Sequence, residues 1–180
     1  MKVLLISICK EKLHELEFVK PVEYLLKYHK ISFFMKHYKN LTEKDLQDAE
    51  KIIICGTSLK DFEYFSYLDN FNWLKKTNIP VLGICAGMQI IGKVFGGKIK
   101  KKTEIGFFRE EFKKEFLGFK GIWEVWHLHN SYIDFFELDD FEIFSSNSVP
   151  QAVKHYSKEI YGVLFHPEVR NKEIIINFLK

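Results

Sequence analysis

Short apolar runs separated by polar stretches dominate the first half of this chain, and their period alternates between that of a strand and that of a helix. Residues 2–8, 31–35, 51–56 and 80–84 read as buried strands, because Val, Leu and Ile fill consecutive positions as they do in strands covered on both faces. Between them lie stretches of helical character. One helix is predicted to start near Pro21, a good first-turn residue, with Val22, Leu25 and Leu26 inward. A short helix over 41–46 has Thr42 as its cap. The aromatic-rich segment 59–77 reads as helical, with Tyr64, Leu68, Phe71 and Leu74 inward. A helix over 86–95 closes at Gly96-Gly97. Beyond residue 98 the texture changes to β-forming segments at 98–108, 122–128, 141–145, 151–156 and 160–165, followed by a helix over 168–179 with Val169, Ile175, Ile176 and Leu179 on one face. This order predicts an α/β fold with an open, doubly wound, mostly parallel sheet of flavodoxin-like type and a mixed or antiparallel extension in the C-terminal half.

Composition narrows the class without naming the chemistry. The 180 residues suit one domain, 1–180, and the hydrophobic content of 47% is ordinary for a globular protein. A formal charge of +3 is too small to argue for nucleic acid or an anionic membrane, so neither is expected as a partner. The apolar start of the chain is short, runs into Lys10-Glu11-Lys12 and has no small-residue cleavage pattern, so it reads as a first strand; no later run approaches membrane-spanning length. Three widely spaced cysteines make no disulfide framework, which points to a reducing, cytoplasmic setting. They and the histidines offer no close ligand pair of the zinc type, so no metal and no cofactor is expected.

Two stretches carry candidate chemistry. In the first, 80–91, the period switches from strand to helix at Cys85, and Gly83 and Gly87 flank it at minus two and plus two. A nucleophile on a tight strand-to-helix turn needs small neighbours, because the two backbones nearly collide there. In the second, 161–169, His166 leaves a buried strand and is followed by Pro167 and Glu168. In extended geometry positions i and i+2 point the same way, so Glu168 can orient the imidazole while His166 faces the cysteine. Nucleophile, base and orienting acid are the parts of a catalytic triad. Cys9 and Cys55 read as small buried residues at strand ends.

The segments Gly83-Ile84-Cys85-Ala86-Gly87-Met88-Gln89, Val94-Phe95-Gly96-Gly97 and Gly162-Val163-Leu164-Phe165-His166-Pro167-Glu168-Val169 resemble, in order and spacing, the class I (triad-type) glutamine amidotransferase domain. The flavour is closest to the glutaminase subunit of GMP synthase or anthranilate synthase. The resemblance implies that Cys85 attacks the carboxamide of glutamine to form a γ-glutamyl thioester, with its helix N-terminus and His166 favouring the thiolate. His166 would then protonate departing ammonia and activate water, oriented by Glu168. The oxyanion would be held by the Ala86 N–H and by a second N–H from the loop after the third strand, Gly56 or Thr57; losing one such donor typically costs about 3–4 kcal/mol in barrier height. Gln89 matches a position that helps hold substrate glutamine, and His129, Asn130 and Ser131 match the segment that grips its amino-acid end. Cys55-Gly56-Thr57-Ser58 departs from the paired glycines usual in that loop, and a threonine serves there only if the backbone avoids positive φ.

The implied function is a glutaminase subunit that passes ammonia to a separate synthase, the chain having room for this domain alone. The alternatives are a stand-alone hydrolase of other γ-glutamyl amides, or a non-catalytic amidotransferase-like regulatory module. The competing reading of the His127–His129 pair, beside the grip on glutamine that the resemblance implies, is that one histidine lies inward and the other is solvated. Lys98, Lys100, Lys101 and Lys102 read as protection of an edge strand, or as a docking surface for the synthase. Trp123 and Trp126 read as core or rim packing.

Overall fold

The computed structural model describes residues 1–145 and 148–180. In chain order its strands are β1 (Lys2–Ser7), β2 (Ser32–His37), β3 (Lys51–Ile54), β4 (Val81–Ile84), β5 (Lys98–Phe116), β6 (Phe119–Asp134), β7 (Phe141–Ile143), β8 (Ala152–His155) and β9 (Ile160–Val163). The helices are α1 (Glu15–Phe18), α2 (Lys20–Tyr28), α3 (Glu43–Gln47), α4 (Ala86–Val94) and α5 (Glu173–Leu179). Seven strands form one sheet in the order β2-β1-β3-β4-β9-β8-β7. Its first five members run parallel, and β8 and β7 extend it antiparallel. The α/β, mostly parallel sheet with an antiparallel extension is therefore the architecture that the apolar pattern predicts.

Alternation along the strands sends side chains to both faces, and both faces are covered. Val3, Leu5, Ile53 and Leu82 pack with Val22 and Leu26 of α2 and Phe178 of α5. Leu4, Ile6, Ile52 and Ile54 pack with Met88 and Ile91 of α4 and with Tyr64, Phe71 and Leu74. This two-sided burial is why the strands read as continuous apolar runs. Thr42 caps α3 as expected: its Oγ1 accepts from the Asp45 N–H at 3.2 Å, and the Asp45 carboxylate accepts from the Thr42 N–H at 3.0 Å, a reciprocal capping box. No helix among the described residues is long and apolar enough to cross a membrane.

Four expectations change. The segment within 59–77 is a 3-10 helix over Glu63–Lys75, broken at Tyr67 where φ is −125° and ψ 30°. Its aromatics are poor helix formers, and Asn70 is tied to a distant segment by donating to the Tyr38 carbonyl. Tyr64, Phe71 and Leu74 are still buried, whereas Leu68 is half-buried. The strand over 160–165 stops at Val163, and residues 166–169 form a turn in which the Val169 and Arg170 N–H groups both donate to the His166 carbonyl. The last helix consequently starts at Glu173, after Asn171 takes a φ of +71°. Val169 is exposed, and Ile174, Ile175, Phe178 and Leu179 form the inner face, with Ile176 half-buried. Finally, the segments at 98–108 and 122–128 are parts of one long hairpin, β5–β6, outside the main sheet. Leu117 and Gly118 make its turn with φ of +47° and +84°, the positive pair that a two-residue hairpin loop requires.

Candidate active site

The site forms at the carboxyl end of β4, where the chain turns into α4. Cys85 sits at that turn with φ of +50° and ψ of −106°, a conformation that costs a non-glycine residue energy and marks a functional constraint. The turn is tight because strand and helix nearly touch. A Cβ on Gly83 would lie 2.6 Å from the Gly87 carbonyl carbon, and one on Gly87 would lie 2.3 Å from the Ile54 oxygen. The flanking glycines are thus required by contact, as the sequence suggests. The Cys85 N–H donates to the Val163 carbonyl at 2.7 Å, which pins the elbow to the end of β9.

His166 follows three residues after β9, and its N–H donates to the Trp126 carbonyl of β6 at 2.8 Å. Its Nδ1 lies 2.6 Å from Oε1 of Glu168, and both residues are buried. The i, i+2 approach holds, although through a turn and not through an extended strand. Burial pushes the imidazole pKa down, but the charges of Glu168 and Cys85 and the hydrogen bond to Glu168 outweigh it and hold the pKa well above 6.5. The elbow thiol and the imidazole, 81 residues apart in sequence, are therefore neighbours. The Cys85 Sγ is directed at the Leu128 carbonyl, 3.6 Å away, and Nε2 of His166 has no hydrogen-bond partner among the described residues. Such slack is usual before substrate binds. The Phe18 ring packs on His166 at 5.5 Å between centroids.

Beside the thiol lies a small, open cleft lined by Thr57, Tyr64, Cys85, Ala86, Gln89 and Ser131 among others. Thr57 and Ala86 face it, whereas Gly56 packs against the imidazole, where a Cβ would come within 2.9 Å of Cε1. None of residues 56–58 has a positive φ, so the threonine is tolerated. Its hydroxyl donates to the buried Asp61 carboxylate at 2.8 Å, and the same carboxylate accepts from the Lys10 N–H at 2.6 Å.

Gln89 lines the cleft with both ends of its amide taken. Its Oε1 accepts from Tyr64 at 2.9 Å, and its Nε2 donates to the Ser131 carbonyl at 2.8 Å. Asn130 donates to the Leu59 carbonyl at 2.9 Å. The Ser131 hydroxyl is buried without a hydrogen-bond partner among the described residues. His127 and His129 are both buried, contrary to the expectation that one would be solvated. Residues i and i+2 of a strand share a face, so the two rings go inward together.

They meet Glu104 of β5, and the three ligand-type atoms lie within 4.8 Å of one another. His127 and His129 are themselves a close pair, two residues apart, contrary to the expectation that the histidines offer none; the third group, Glu104, is distant along the chain, and the hairpin register supplies it. Burial pushes His127 down to about 3 and His129 to about 4, and holds Glu104 above the usual carboxylate range. Cys9 and Cys55 are buried as expected; burial pushes the Cys9 thiol up to about 11 and Cys55 well above its ordinary value.

A sequence model of the class I glutamine amidotransferase family matches residues 21–180. The chain belongs to that family. Among curated relatives, a glutamine-hydrolysing GMP synthase subunit of Picrophilus torridus is 34% identical over 152 residues, covering 75% of this chain and 78% of that protein. The corresponding protein of Pyrococcus abyssi is 38% identical over 125 residues, covering 63% and 64%, and that of Methanobrevibacter smithii 36% identical over 108, covering 55% of each. The chain thus spans little more than half the length of the first curated relatives it matches.

Solved structures share this fold. A Thermoplasma acidophilum protein, provisionally described as one subunit of a GMP synthase, superposes with a TM-score of 0.86 at 23% identity, over 99% of this chain and 92% of that one. A Thermotoga maritima glutamine amidotransferase superposes with a TM-score of 0.73 at 21% identity, over 99% and 80%. Four groups around the candidate site carry no mark in the sequence: Phe18, Asp61, Tyr64 as a partner of Gln89, and the Leu128 carbonyl. None carries a local signal, since each reaches the site through packing of distant segments.

Proposed function

We propose that this amidotransferase hydrolyses glutamine to glutamate and ammonia at Cys85 and delivers the ammonia to a separate synthase subunit. The observation that carries the reading is the strained Cys85 elbow beside an imidazole held at 2.6 Å by Glu168. The Cys85 sulfur, its proton passed to His166, attacks the carboxamide carbon, a C–S bond forms, and the carbonyl electron pair moves onto oxygen. The N–H groups of Ala86 and Thr57 receive that oxyanion; the facing of Thr57 into the cleft favours it over Gly56. Collapse breaks the C–N bond, and the leaving nitrogen takes the His166 proton and departs as ammonia. His166, now neutral, takes a proton from water, whose oxygen attacks the thioester carbon and releases glutamate and the thiol. Glu168 keeps Nε2 aimed at the reacting atoms throughout.

Ser131 is the group we assign to contact the amino-acid end of glutamine, since its hydroxyl is buried at the cleft with no partner among the described residues. Gln89, Asn130 and His129 help hold strand β6 in place: the Gln89 amide bonds Ser131, Asn130 donates to Leu59 and His129 Nδ1 bonds the Lys102 carbonyl. The curated relatives are named as one subunit of a glutamine-hydrolysing GMP synthase, which supports a separate partner that takes up the ammonia. Residues 1–180 are read as one amidotransferase domain, and the three free cysteines fit a cytoplasmic setting.

The test is ammonia release from glutamine, measured for the purified chain by itself and mixed with a candidate synthase partner. Activity should rise on mixing and vanish in Cys85→Ala. Absence of ammonia under both conditions would sink the proposal.

A further inference from the structure

The Glu104–His127–His129 cluster lies outside the triad and has too few hydrogens for its acceptors. Nδ1 of His129 sits 3.2 Å from the Lys102 carbonyl, which can only accept, so that nitrogen carries the ring hydrogen. The lone pair of Nε2 then faces Oε2 of Glu104 at 3.1 Å, and that oxygen already accepts from Gln151 at 3.0 Å. His127 has the same difficulty. Nδ1 lies 3.1 Å from the same Glu104 oxygen and Nε2 lies 3.4 Å from Glu110, while a neutral ring has one hydrogen for two carboxylates. Both histidines are fully buried, so water does not relieve the crowding.

We propose that Glu104 Oε2, His127 Nδ1 and His129 Nε2 bind one divalent transition-metal ion, zinc being the best match to this donor set. A single cation removes both lone-pair conflicts at once. The 3.1 Å separations are close to the ~3.4 Å edge of a tetrahedron with metal–ligand bonds of about 2.1 Å. The surroundings suit metal-bound histidines: His129 Nδ1–H points to a carbonyl, the Glu110 carboxylate lies 3.4 Å from His127 Nε2, and Gln151 orients the ligating glutamate. The register shift between Lys101 and Glu104 in β5 aims Glu104 inward, as strand irregularities near functional sites do. Bound metal would clamp β5 to β6 directly behind Leu128 and Ser131, whose carbonyls face Cys85 and Gln89. The site stands whether or not Cys85 hydrolyses glutamine, because metal binding is read without turnover.

The experiment uses the full chain carrying Cys85→Ala, which removes the elbow thiol as a competing ligand. After treatment with EDTA and its removal, the protein is titrated with Zn2+ by calorimetry and with Co2+ by absorption spectroscopy. One ion per chain should bind, with a rise in melting temperature and a cobalt spectrum of nitrogen and oxygen donors without a thiolate band. Glu104→Gln and His127→Gln should each lose stoichiometric binding while keeping the circular dichroism of the metal-free protein. Gln151→Ala, a milder change, should weaken binding about 10–100-fold. No stoichiometric binding to the parent protein, or binding that survives in the Glu104→Gln/His127→Gln pair, overturns the proposal.

Discussion

His166 is where burial and charge oppose each other most directly. Desolvation favours the neutral ring, whereas Glu168 and Cys85 favour the imidazolium, and the balance leaves its pKa well above 6.5. The folded protein therefore binds this proton more tightly than the unfolded chain does. The resulting stabilisation is fully present below about pH 6.5 and is lost as pH rises through the raised folded value. Imidazole NMR titration should find His166 still protonated when an ordinary histidine has lost its proton, and Glu168→Gln should move its pKa down. Titration of His166 below 6.5 in the parent protein would contradict the charge balance. The cysteines make a second contrast. A glutamine analogue bearing a diazoketone should give one adduct by peptide mapping, at Cys85, because burial holds Cys9 and Cys55 as unreactive thiols. Labelling of Cys9 or Cys55 before Cys85 would remove the elbow from the mechanism.

The β4–α4 element works because two backbones approach to the contact distance of a missing methyl group. Gly87→Ala would drive a Cβ against the Ile54 carbonyl, and backbone cannot rotate away as a long side chain can. The expected cost is about 1–3 kcal/mol from overpacking, read as a lower denaturant midpoint, together with loss of glutaminase activity as β3 and its loop shift. A midpoint equal to that of the parent would mean that the elbow has more room than its geometry allows. This element was legible in the chain because its requirements are local: an apolar strand, small residues at fixed offsets and a change of period at Cys85. The hairpin β5–β6 was not. Its polar outer stretches, such as Lys113-Lys114-Glu115, hide the strand pattern, and its Leu117-Gly118 turn lacks the usual Asn-Gly signal. The lysines read as edge protection do lie on this exposed strand, where Lys98 pairs with Glu137 and Lys100 with Asp134. Trp123 and Trp126 pack at its rim, on Phe119 and Phe107.

Across the whole molecule, the site is a junction between the seven-stranded sheet and that separate hairpin. Tyr64 on the 3-10 segment, Gln89 on α4 and Ser131 on β6 form one buried hydrogen-bond chain through it. Tyr64→Phe would leave Gln89 Oε1 buried without its donor, at a cost of about 1–3 kcal/mol measurable by urea unfolding. An unchanged midpoint would show that the chain of bonds does not join the two units energetically. What the amino-acid order alone determined was whatever depends on neighbours in sequence: the parallel strands, the capped helix, the elbow around Cys85 and the His166–Glu168 pair, since period and spacing act over a few residues. What only tertiary structure decided was whatever depends on register between distant segments. Gln89 serves Tyr64 and Ser131, and Thr57 leans on Asp61. His127 and His129 turn together onto Glu104, because hairpin pairing, which no local spacing encodes, sets the carboxylate against the two rings.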